Sequence, residues 1–182
     1  MIDPSTIYQG STLRVRLHDS GFAELTFDNT QESINKFNQA TLLELAAAVT
    51  ALKAREGVRG LLLSSAKSVF VAGADITEFL TLFNAPAEVL LESIASTNAL
   101  FNELEDLPYP TVSAINGAAL GGGFEVALTT DFRVASTSAR IGLPEVKLGI
   151  LPGFGGTTRL PRLIGADNAI EWIAGGVDNK PE

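Results

Sequence analysis

The stretch Thr111-Val-Ser-Ala-Ile-Asn-Gly-Ala-Ala-Leu-Gly-Gly-Gly-Phe-Glu-Val-Ala-Leu128 joins a short apolar run to helical sequence through three consecutive glycines. The run over 111–115 predicts a strand, and the residues after Gly123 predict a short helix. Unpaired N–H groups and the positive end of a helix dipole then meet at one loop. A phosphate, a carboxylate or a developing oxyanion could bind there. The alternative is tight helix–strand packing that only glycine permits.

The glycines do not follow the common phosphate-loop templates. No G-x-x-x-x-G-K-[ST] pattern occurs, and after Gly121 and Gly123 the third position of the dinucleotide-binding pattern is Val126. A second small-residue loop, Val71-Ala-Gly-Ala-Asp-Ile76, could also present backbone N–H groups, with a plain strand-to-helix turn as the alternative. Neither loop alone identifies a ligand.

Apolar periodicity on either side of these loops predicts alternating strands and helices. Residues 13–17 and 22–27 alternate apolar and polar side chains around the turn Asp19-Ser-Gly21, which predicts a β-hairpin. The other predicted elements are a helix from a capping box at Thr41 and Glu44 to near Gly57, a strand over 60–64, a helix over 85–107, a strand over 131–135 and a helix over 166–174. This order predicts an α/β fold in a single domain, 1–182.

Composition narrows the possible chemistry. The 182 residues include no cysteine and one histidine, which excludes thiol nucleophiles and Cys-zinc sites and predicts no metal site. The histidine, His18, lies beside the hairpin turn and is interpreted as a surface residue. Thirteen basic against 21 acidic residues give a net charge of −8, which argues against nucleic acid as a partner. Proton chemistry would therefore use carboxylates, Lys, Tyr or backbone groups.

The chain shows no sign of a membrane segment or a targeting leader. Its longest uncharged run, over 107–124, contains prolines and glycines that a lipid-facing helix tolerates poorly. The first residues have neither a basic region nor an apolar one. We therefore expect no membrane span and a soluble protein of a reducing cytoplasm.

Two carboxylates stand close to the loops in sequence. Glu125 lies in the first turn after the glycines, and Glu145 follows Pro144 inside the apolar segment over 141–146. Each has a structural alternative, because Glu125 can compensate the helix dipole and Pro-Glu is an ordinary helix start. Apolar surroundings would raise the pKa of both groups, and the pair could then exchange protons near neutral pH.

Five ordered segments resemble the crotonase, or enoyl-CoA hydratase/isomerase, superfamily over nearly the whole chain. They are SINKFN (33–38), FVAGADI (70–76), AINGAALGGGFE with the following AL and Asp131 (114–131), GLPEVKLG (142–149) and PGFGGTTRLPR (152–162). The sequence is most similar to the N-terminal domain of the multifunctional fatty-acid oxidation branch of that family. Five motifs in the family's order are far more specific than any one of them.

The resemblance implies an α/β fold, a crotonase-like spiral of ββα turns, truncated before the C-terminal helical region of its relatives. We therefore expect 1–182 to be an enoyl-CoA hydratase/isomerase domain and a fragment of a longer chain. Relatives usually form trimers. In the multifunctional branch, the full-length protein forms a complex with a thiolase beta subunit, so the resemblance implies an oligomer or such a complex.

The resemblance also implies an activity and the residues that carry it. The substrate would be an acyl-CoA thioester, and the reaction would be hydration of 2-trans-enoyl-CoA in fatty acid β-oxidation, with Δ3-cis-Δ2-trans-enoyl-CoA isomerisation through the same carboxylates. Glu125 matches the residue that handles the water, and Glu145 matches the one that exchanges the α-proton. The backbone N–H groups of Ala74 and Gly122 match the oxyanion hole. No cofactor is implied beyond the CoA carried by the substrate.

The segment around the second loop matches the CoA-binding part of the family. Ala72, Gly73 and Asp75 are the predicted CoA-binding residues, with the Ala72 backbone matching a contact to the adenine. Lys36 and Lys67 are candidates for the CoA phosphates, with solvated surface lysines as the alternative. Two other functions stay open: another crotonase-family reaction, such as isomerisation alone, and an inactive, truncated acyl-CoA-binding domain.

Overall fold

Two sheets form the framework of the chain. A computed structural model describes residues 5–181, except for the side chains of Phe79, Leu80 and Phe83. The larger sheet has six strands, in the order β1 (Thr6–Gln9), β2 (Leu13–Leu17), β3 (Phe22–Phe27), β4 (Gly60–Ser65), β5 (Thr111–Ile115) and β7 (Phe132–Ala135). The smaller sheet contains β6 (Ala118–Leu120), β8 (Arg140–Gly142) and β9 (Asp178–Asn179).

The strand directions confirm the predicted hairpin and crossovers. β1, β2 and β3 pair antiparallel, whereas β3–β4, β4–β5 and β5–β7 pair parallel. In the smaller sheet, β6 and β8 are parallel and β8 and β9 antiparallel. Parallel neighbours need a long connection, and helices supply it here. The α/β prediction is therefore confirmed.

Six α-helices and one 3₁₀ helix connect the strands within residues 5–181. They are α1 (Gln39–Ala54), α2 (Ile76–Phe83), α3 (Ala87–Glu105), α4 (Gly122–Leu128), α5 (Gly156–Ile164), α6 (Ala166–Gly175) and the 3₁₀ helix Pro144–Leu148. No helix in this part of the chain combines the length and the apolar character that crossing a bilayer requires.

The start of α1 corrects the predicted capping box. Asn38, not Thr41, is the N-cap, and its Oδ1 accepts hydrogen bonds from the N–H and the hydroxyl of Thr41, both at 2.8 Å. Glu44 does not fold back to the helix start. Its carboxylate accepts the N–H groups of Ser11 and Thr12 at 2.9 Å each. Residues distant in sequence thus bind the glutamate that local spacing assigns to the helix cap.

Periodicity misses the shortest elements and shifts the ends of one helix. The strands β1, β6, β8 and β9 have two to four residues each, too few to show a period. The helices α2 and α5 are also absent from the prediction, and α5 contains Pro161 in its interior. The predicted helix over 85–107 is α3, which ends at Glu105. It begins after Pro86, whose ψ of 146° lies outside the helical range.

A row of phenylalanine rings runs through the core towards the loop after the 3₁₀ helix. Phe70 packs on Phe27, Phe27 on Phe37, Phe37 on Phe101 and Phe101 on Phe154, with ring centroids 5.6 to 6.0 Å apart. All five side chains are buried. Tilted and edge-on pairs of this kind stabilise beyond their buried area. The row therefore links the main sheet to the loop that carries Phe154.

Candidate active site

A cavity of about 560 Å³ brings together six of the seven predicted site residues. It lies between the loop over 72–76, helix α3, the junction of β6 and α4, and the segment from the 3₁₀ helix to Phe154. The six are Ala72, Gly73, Ala74, Gly122, Glu125 and Glu145. Much of the remaining wall is apolar, with Leu90, Ile94, Leu148, Ile150 and Leu151 among its residues.

The three consecutive glycines serve different purposes. A Cβ on Gly123 would overlap the carbonyl oxygen of Val71, so the packing interpretation is confirmed for this residue. Gly121 has a φ of 52°, which side-chain-bearing residues rarely adopt. Gly122 has no positive φ and lines the cavity, where a Cβ would come within 3.1 Å of the Phe154 ring. Gly121 lines the same cavity, so Gly122 is the cavity-lining glycine of the three whose backbone conformation alone does not require glycine.

The backbone N–H groups of Ala74 and Gly122 take no part in the backbone hydrogen bonds that hold their own segments. In the parallel bridge between Phe37 and Ala74, the Phe37 N–H donates to the Gly73 carbonyl and the Asp75 N–H to the Phe37 carbonyl, both at 2.8 Å. This pattern leaves the N–H of Ala74 on the opposite edge of the segment. Gly122 is the first residue of α4, where an N–H has no intrahelical acceptor.

These two N–H groups belong to adjacent loops. A Cβ built on Gly73 would lie 4.0 Å from the backbone nitrogen of Gly122. Ala74 and Gly122 also line the same cavity. The arrangement can therefore present two donors to one oxygen atom of a bound molecule, as an oxyanion hole does.

Glu125 is the most deeply buried carboxyl group of the site. Its side chain in α4 is 1% exposed, and its Oε1 accepts the N–H groups of Phe154 and Gly156, both at 2.8 Å. Burial raises the pKa of Glu125 to about 7, and the charge of Glu145 adds to this effect. The two N–H donors and the Arg159 charge oppose the rise. The group thus titrates near neutral pH.

Glu145 lies at the start of the 3₁₀ helix, directly after Pro144, as predicted. It is 8% exposed, and its Oε2 is buried without a hydrogen-bond partner among the described residues. Burial raises the pKa of this carboxyl, against a hydrogen bond from its own backbone. A buried oxygen without a donor favours the protonated acid. The two carboxyl groups therefore have different environments.

Asp75 is the predicted site residue that lies elsewhere. It lines a neighbouring cavity of about 600 Å³ between α1, α2 and α3. Its Oδ1 caps α2 through the N–H of Thr77 at 3.0 Å, and its Oδ2 pairs with Lys36 at 2.7 Å. Hydrogen bonds from Lys36 and Thr77 lower the pKa of Asp75 to about 2. Its role in CoA binding stays a prediction.

The candidate lysines and the histidine all have protein partners. Lys36 pairs with Asp75, and Lys67 lies 3.4 Å from the carboxylate of Asp28. His18 is exposed and lies 3.2 Å from Glu24 on the neighbouring strand, so its interpretation as a surface residue is confirmed. Contact of either lysine with CoA phosphates stays a prediction.

The loop from Phe154 to Gly156 is the part of the site that sequence reasoning missed. It supplies both N–H donors to Glu125, and a Cβ on Gly156 would lie 3.0 Å from the Glu125 Oε1. The segment over 152–162 contributes to the family resemblance, but no role was assigned to its residues. The clustered glycines beside Phe154 were the available signal, because glycines allow a close approach of the backbone.

Replacing Glu125 with glutamine is expected to stabilise the folded chain by about 3 kcal/mol at pH 8 and by little at pH 5. The pKa of Glu125 is about 7 in the folded chain against a usual value of 4.5, so unfolding releases a proton between these pH values. The contribution of protonated Glu125 to the free energy of unfolding is therefore lost as pH rises through 7. Glutamine keeps an oxygen for the two N–H donors and carries no charge. Urea unfolding at both pH values measures the difference.

The exposed variant Glu103→Gln is the control for this comparison. Glu103 lies on α3, and its carboxylate pairs with Lys53 at the surface. It should change stability by less than about 0.5 kcal/mol at either pH. An equal gain from Glu125→Gln at pH 5 and pH 8 would show that Glu125 is not a carboxyl with a raised pKa.

Two buried carboxyl groups and two backbone donors around one apolar cavity, on this ββα framework, define a crotonase-type protein. The family model described as "Enoyl-CoA hydratase/isomerase" matches residues 18–180. The chain therefore belongs to the enoyl-CoA hydratase/isomerase family.

Curated relatives point to one branch of the family. The chain is 58% identical over 176 residues to "Fatty acid oxidation complex subunit alpha" of Pseudomonas putida F1, and 57% identical to the protein of that name in Pseudomonas aeruginosa PAO1. Each match covers 97% of this chain and 25% of the relative. The chain thus spans about a quarter of the length of these relatives.

Solved structures confirm the crotonase-like fold. An enoyl-CoA hydratase from Bacillus anthracis matches with a TM-score of 0.83 and 35% identity, over 93% of this chain and 64% of that one. An enoyl-CoA hydratase from Geobacillus kaustophilus matches with a TM-score of 0.87 and 28% identity, over 95% and 64%. Pseudomonas aeruginosa DspI matches with a TM-score of 0.86 and 29% identity, over 98% and 71%.

Proposed function

We propose that the chain is an enoyl-CoA hydratase that adds water across the double bond of a 2-trans-enoyl-CoA in fatty acid β-oxidation. One observation carries this proposal: Glu125 and Glu145, both buried and both with a raised pKa, line the same cavity as the N–H groups of Ala74 and Gly122. The apolar remainder of the wall suits an acyl chain. The names of the relatives support the same reaction.

The pKa of both carboxyl groups is raised, so we assign their roles from their hydrogen bonds and from the family resemblance. Glu125 accepts two backbone N–H groups, which stabilise its ionised form, so it takes a proton from water. Glu145 has an oxygen without a donor, which favours its acid form, so it delivers a proton. One ionised and one protonated carboxyl group are what addition of water requires.

The proposed reaction balances without a further reactant. Glu125 removes a proton from water as the water oxygen bonds to the β carbon. The electron pair of the double bond then joins the α carbon to the carbonyl carbon, and the carbonyl π pair moves onto the thioester oxygen. The N–H groups of Ala74 and Gly122 bind that oxygen as its charge develops. The enolate then takes a proton at the α carbon from Glu145. The product is a 3-hydroxyacyl-CoA, and proton exchange with solvent restores both carboxyl groups.

The same site supports isomerisation of a Δ3-cis-enoyl-CoA to the Δ2-trans form. This reaction needs one carboxyl group that removes the α-proton and returns a proton to the γ carbon, with the enolate held on the same two N–H groups. It needs no attack by water. Isomerisation is therefore a second activity of this proposal.

The wider setting follows from the relatives. We expect no cofactor other than the CoA of the substrate. In a longer protein like the fatty acid oxidation subunits, this part of the chain would supply the hydratase step, in a complex with a thiolase beta subunit. A cytoplasmic location goes with this expectation.

Incubation with crotonyl-CoA tests the hydratase proposal directly. We expect saturable loss of the conjugated thioester absorbance, with 3-hydroxybutyryl-CoA identified by mass spectrometry. A Δ3-enoyl-CoA tests isomerisation in parallel, and calorimetry with crotonyl-CoA measures binding. Isomerisation without hydration would favour another reaction of the family. Binding without either reaction would favour an acyl-CoA-binding domain.

A further inference from the structure

Arg159 is a buried cation whose guanidinium donates to three acceptors, two on one helix and one on a loop. It lies on α5 and is 8% exposed. Its Nε donates to the Glu105 carboxylate at 2.7 Å, and one terminal nitrogen donates to the Asn102 side-chain oxygen at 2.6 Å. The other terminal nitrogen donates to the backbone carbonyl of Phe154 at 3.1 Å. Three acceptors in different directions match the rigid fork of arginine.

The Phe154 backbone connects this cation to the active-site carboxylate. Its carbonyl accepts from Arg159, while its N–H donates to the Glu125 Oε1 at 2.8 Å. The N–H of Gly156 donates to the same oxygen. Between them, Gly155 has a φ of 100°, and the Arg159 guanidinium occupies the space where a Cβ of Gly155 would stand. The guanidinium therefore fixes the turn that holds Glu125.

One face of α3 contacts both Arg159 and the loop that carries Phe154. Asn98, Asn102 and Glu105 follow one another at spacings of four and three, so they share a face of the helix. Asn98 donates to the Gly153 carbonyl at 2.7 Å, and the other two bind Arg159. The same helix lines the cavity through Ile94. The helix beside the substrate cavity is thus linked to the loop at Glu125.

We propose that Arg159 is a positioning residue, which holds the Phe154–Gly156 turn against α3 so that two N–H groups orient the Glu125 carboxylate towards the water. This proposal rests on the proposed function. Arg159 itself lines neither cavity and is not a catalytic residue. It acts on the reaction through the Phe154 backbone.

Charge adds to this positioning. The charged groups that act on Glu125 are Glu145, which raises its pKa, and Arg159, which lowers it. Arg159 in turn faces the carboxylate of Glu105. Loss of the guanidinium would remove a positive charge and loosen two N–H donors, and both changes raise the pKa of Glu125. A pH profile therefore separates this role from general packing.

Two substitutions of Arg159 separate its shape from its charge. Arg159→Met should lower kcat by about 10²-fold, the effect of misplacing a catalytic group, with little change in KM. The acid limb of the pH profile should move to higher pH. Arg159→Lys keeps the charge but cannot bind three acceptors at once. It should restore most of the pH profile while kcat stays about tenfold low.

A carboxyl titration makes the test independent of turnover. With ¹³C-labelled glutamate, the Glu125 signal is assigned by its loss in Glu125→Gln, and its pKa is measured without substrate. We expect a higher pKa in Arg159→Met than in the native chain or in Arg159→Lys. The Glu125 pKa could differ among these proteins as expected while the native chain does not hydrate crotonyl-CoA. That result would overturn the proposed function and leave the positioning role of Arg159 standing.

Two milder variants keep the proposal testable if Arg159→Met does not fold. Glu105→Gln removes a charge that contacts Arg159. Glu103→Gln removes the charge of a glutamate two residues earlier, which pairs with Lys53. Both glutamates are exposed surface residues, so both variants should fold. We expect a several-fold lower kcat and a shifted pH profile for Glu105→Gln only. Native kcat and a native Glu125 pKa in folded Arg159→Met, or identical behaviour of the two glutamine variants, would overturn the proposal.

Discussion

Replacing Glu145 with glutamine should abolish hydration of crotonyl-CoA and leave the chain folded. The amide has nearly the shape of the acid but cannot release a proton to the α carbon. Loss of a general acid lowers kcat by about 10² to 10⁴-fold. The Glu145 Oε2 makes no hydrogen bond within the described structure, so its replacement breaks no hydrogen bond of that atom. The rate of crotonyl-CoA hydration and the melting temperature are the two measurements.

Proton exchange shows which step is lost. In deuterated water, the native chain should introduce deuterium at the α carbon of 3-hydroxybutyryl-CoA, and Glu145→Gln should not. Glu103→Gln, on the exposed side of α3, is the matched control and should behave as the native chain. Undiminished turnover by a Glu145→Gln protein with native melting would remove Glu145 from the mechanism.

Replacing Gly122 with valine should lower kcat by at least about 10²-fold, the usual effect of losing one oxyanion donor. Even a Cβ at this position would come within 3.1 Å of Phe154 and 3.3 Å of Phe37, and valine adds two methyl groups. The valine side chain should therefore obstruct the thioester oxygen or turn the Gly122 N–H away from it. The backbone has no positive φ here, so the change adds no strain of that kind. The kinetics of crotonyl-CoA hydration measure the effect.

Gly175→Val is the control, because it introduces the same side chain at a helix end that lines neither cavity. Gly175 is exposed at the end of α6, and its Cβ would meet only Val177 at 3.7 Å. It should keep native kcat. A folded Gly122→Val chain with native kcat would mean that Gly122, like Gly123, serves packing alone.

The site shows how far sequence reasoning reaches in this chain. Glu125 and Glu145 could be selected because each interrupts an apolar segment next to a glycine or a proline. The loop that holds Glu125 could not be found in this way, because its N–H groups belong to Phe154 and Gly156, 29 and 31 residues further along the chain. Backbone donors carry no sequence signature. Only clustered glycines indicate that another group approaches closely.

Asp75 shows a second limit of sequence reasoning, although its predicted role in CoA binding stays untested. Its place in the small-residue loop favours a binding role, whereas the folded chain uses its side chain to cap α2 and to pair with Lys36. The same holds for Glu44, which local spacing assigns to a helix cap and the structure assigns to Ser11 and Thr12. A carboxylate takes whichever donors the fold brings to it, and those donors can be more than thirty residues away.

The sequence by itself determined the α/β class, the hairpin, the longer helices and the family, because these depend on apolar periodicity and on motifs read along the chain. Only the tertiary structure decided the short strands, the functions of the separate glycines, the pKa of Glu125 and the link from Arg159 to its turn. Burial and hydrogen-bond partners set those properties. Both arise when distant segments pack, so they are absent from any local stretch of residues.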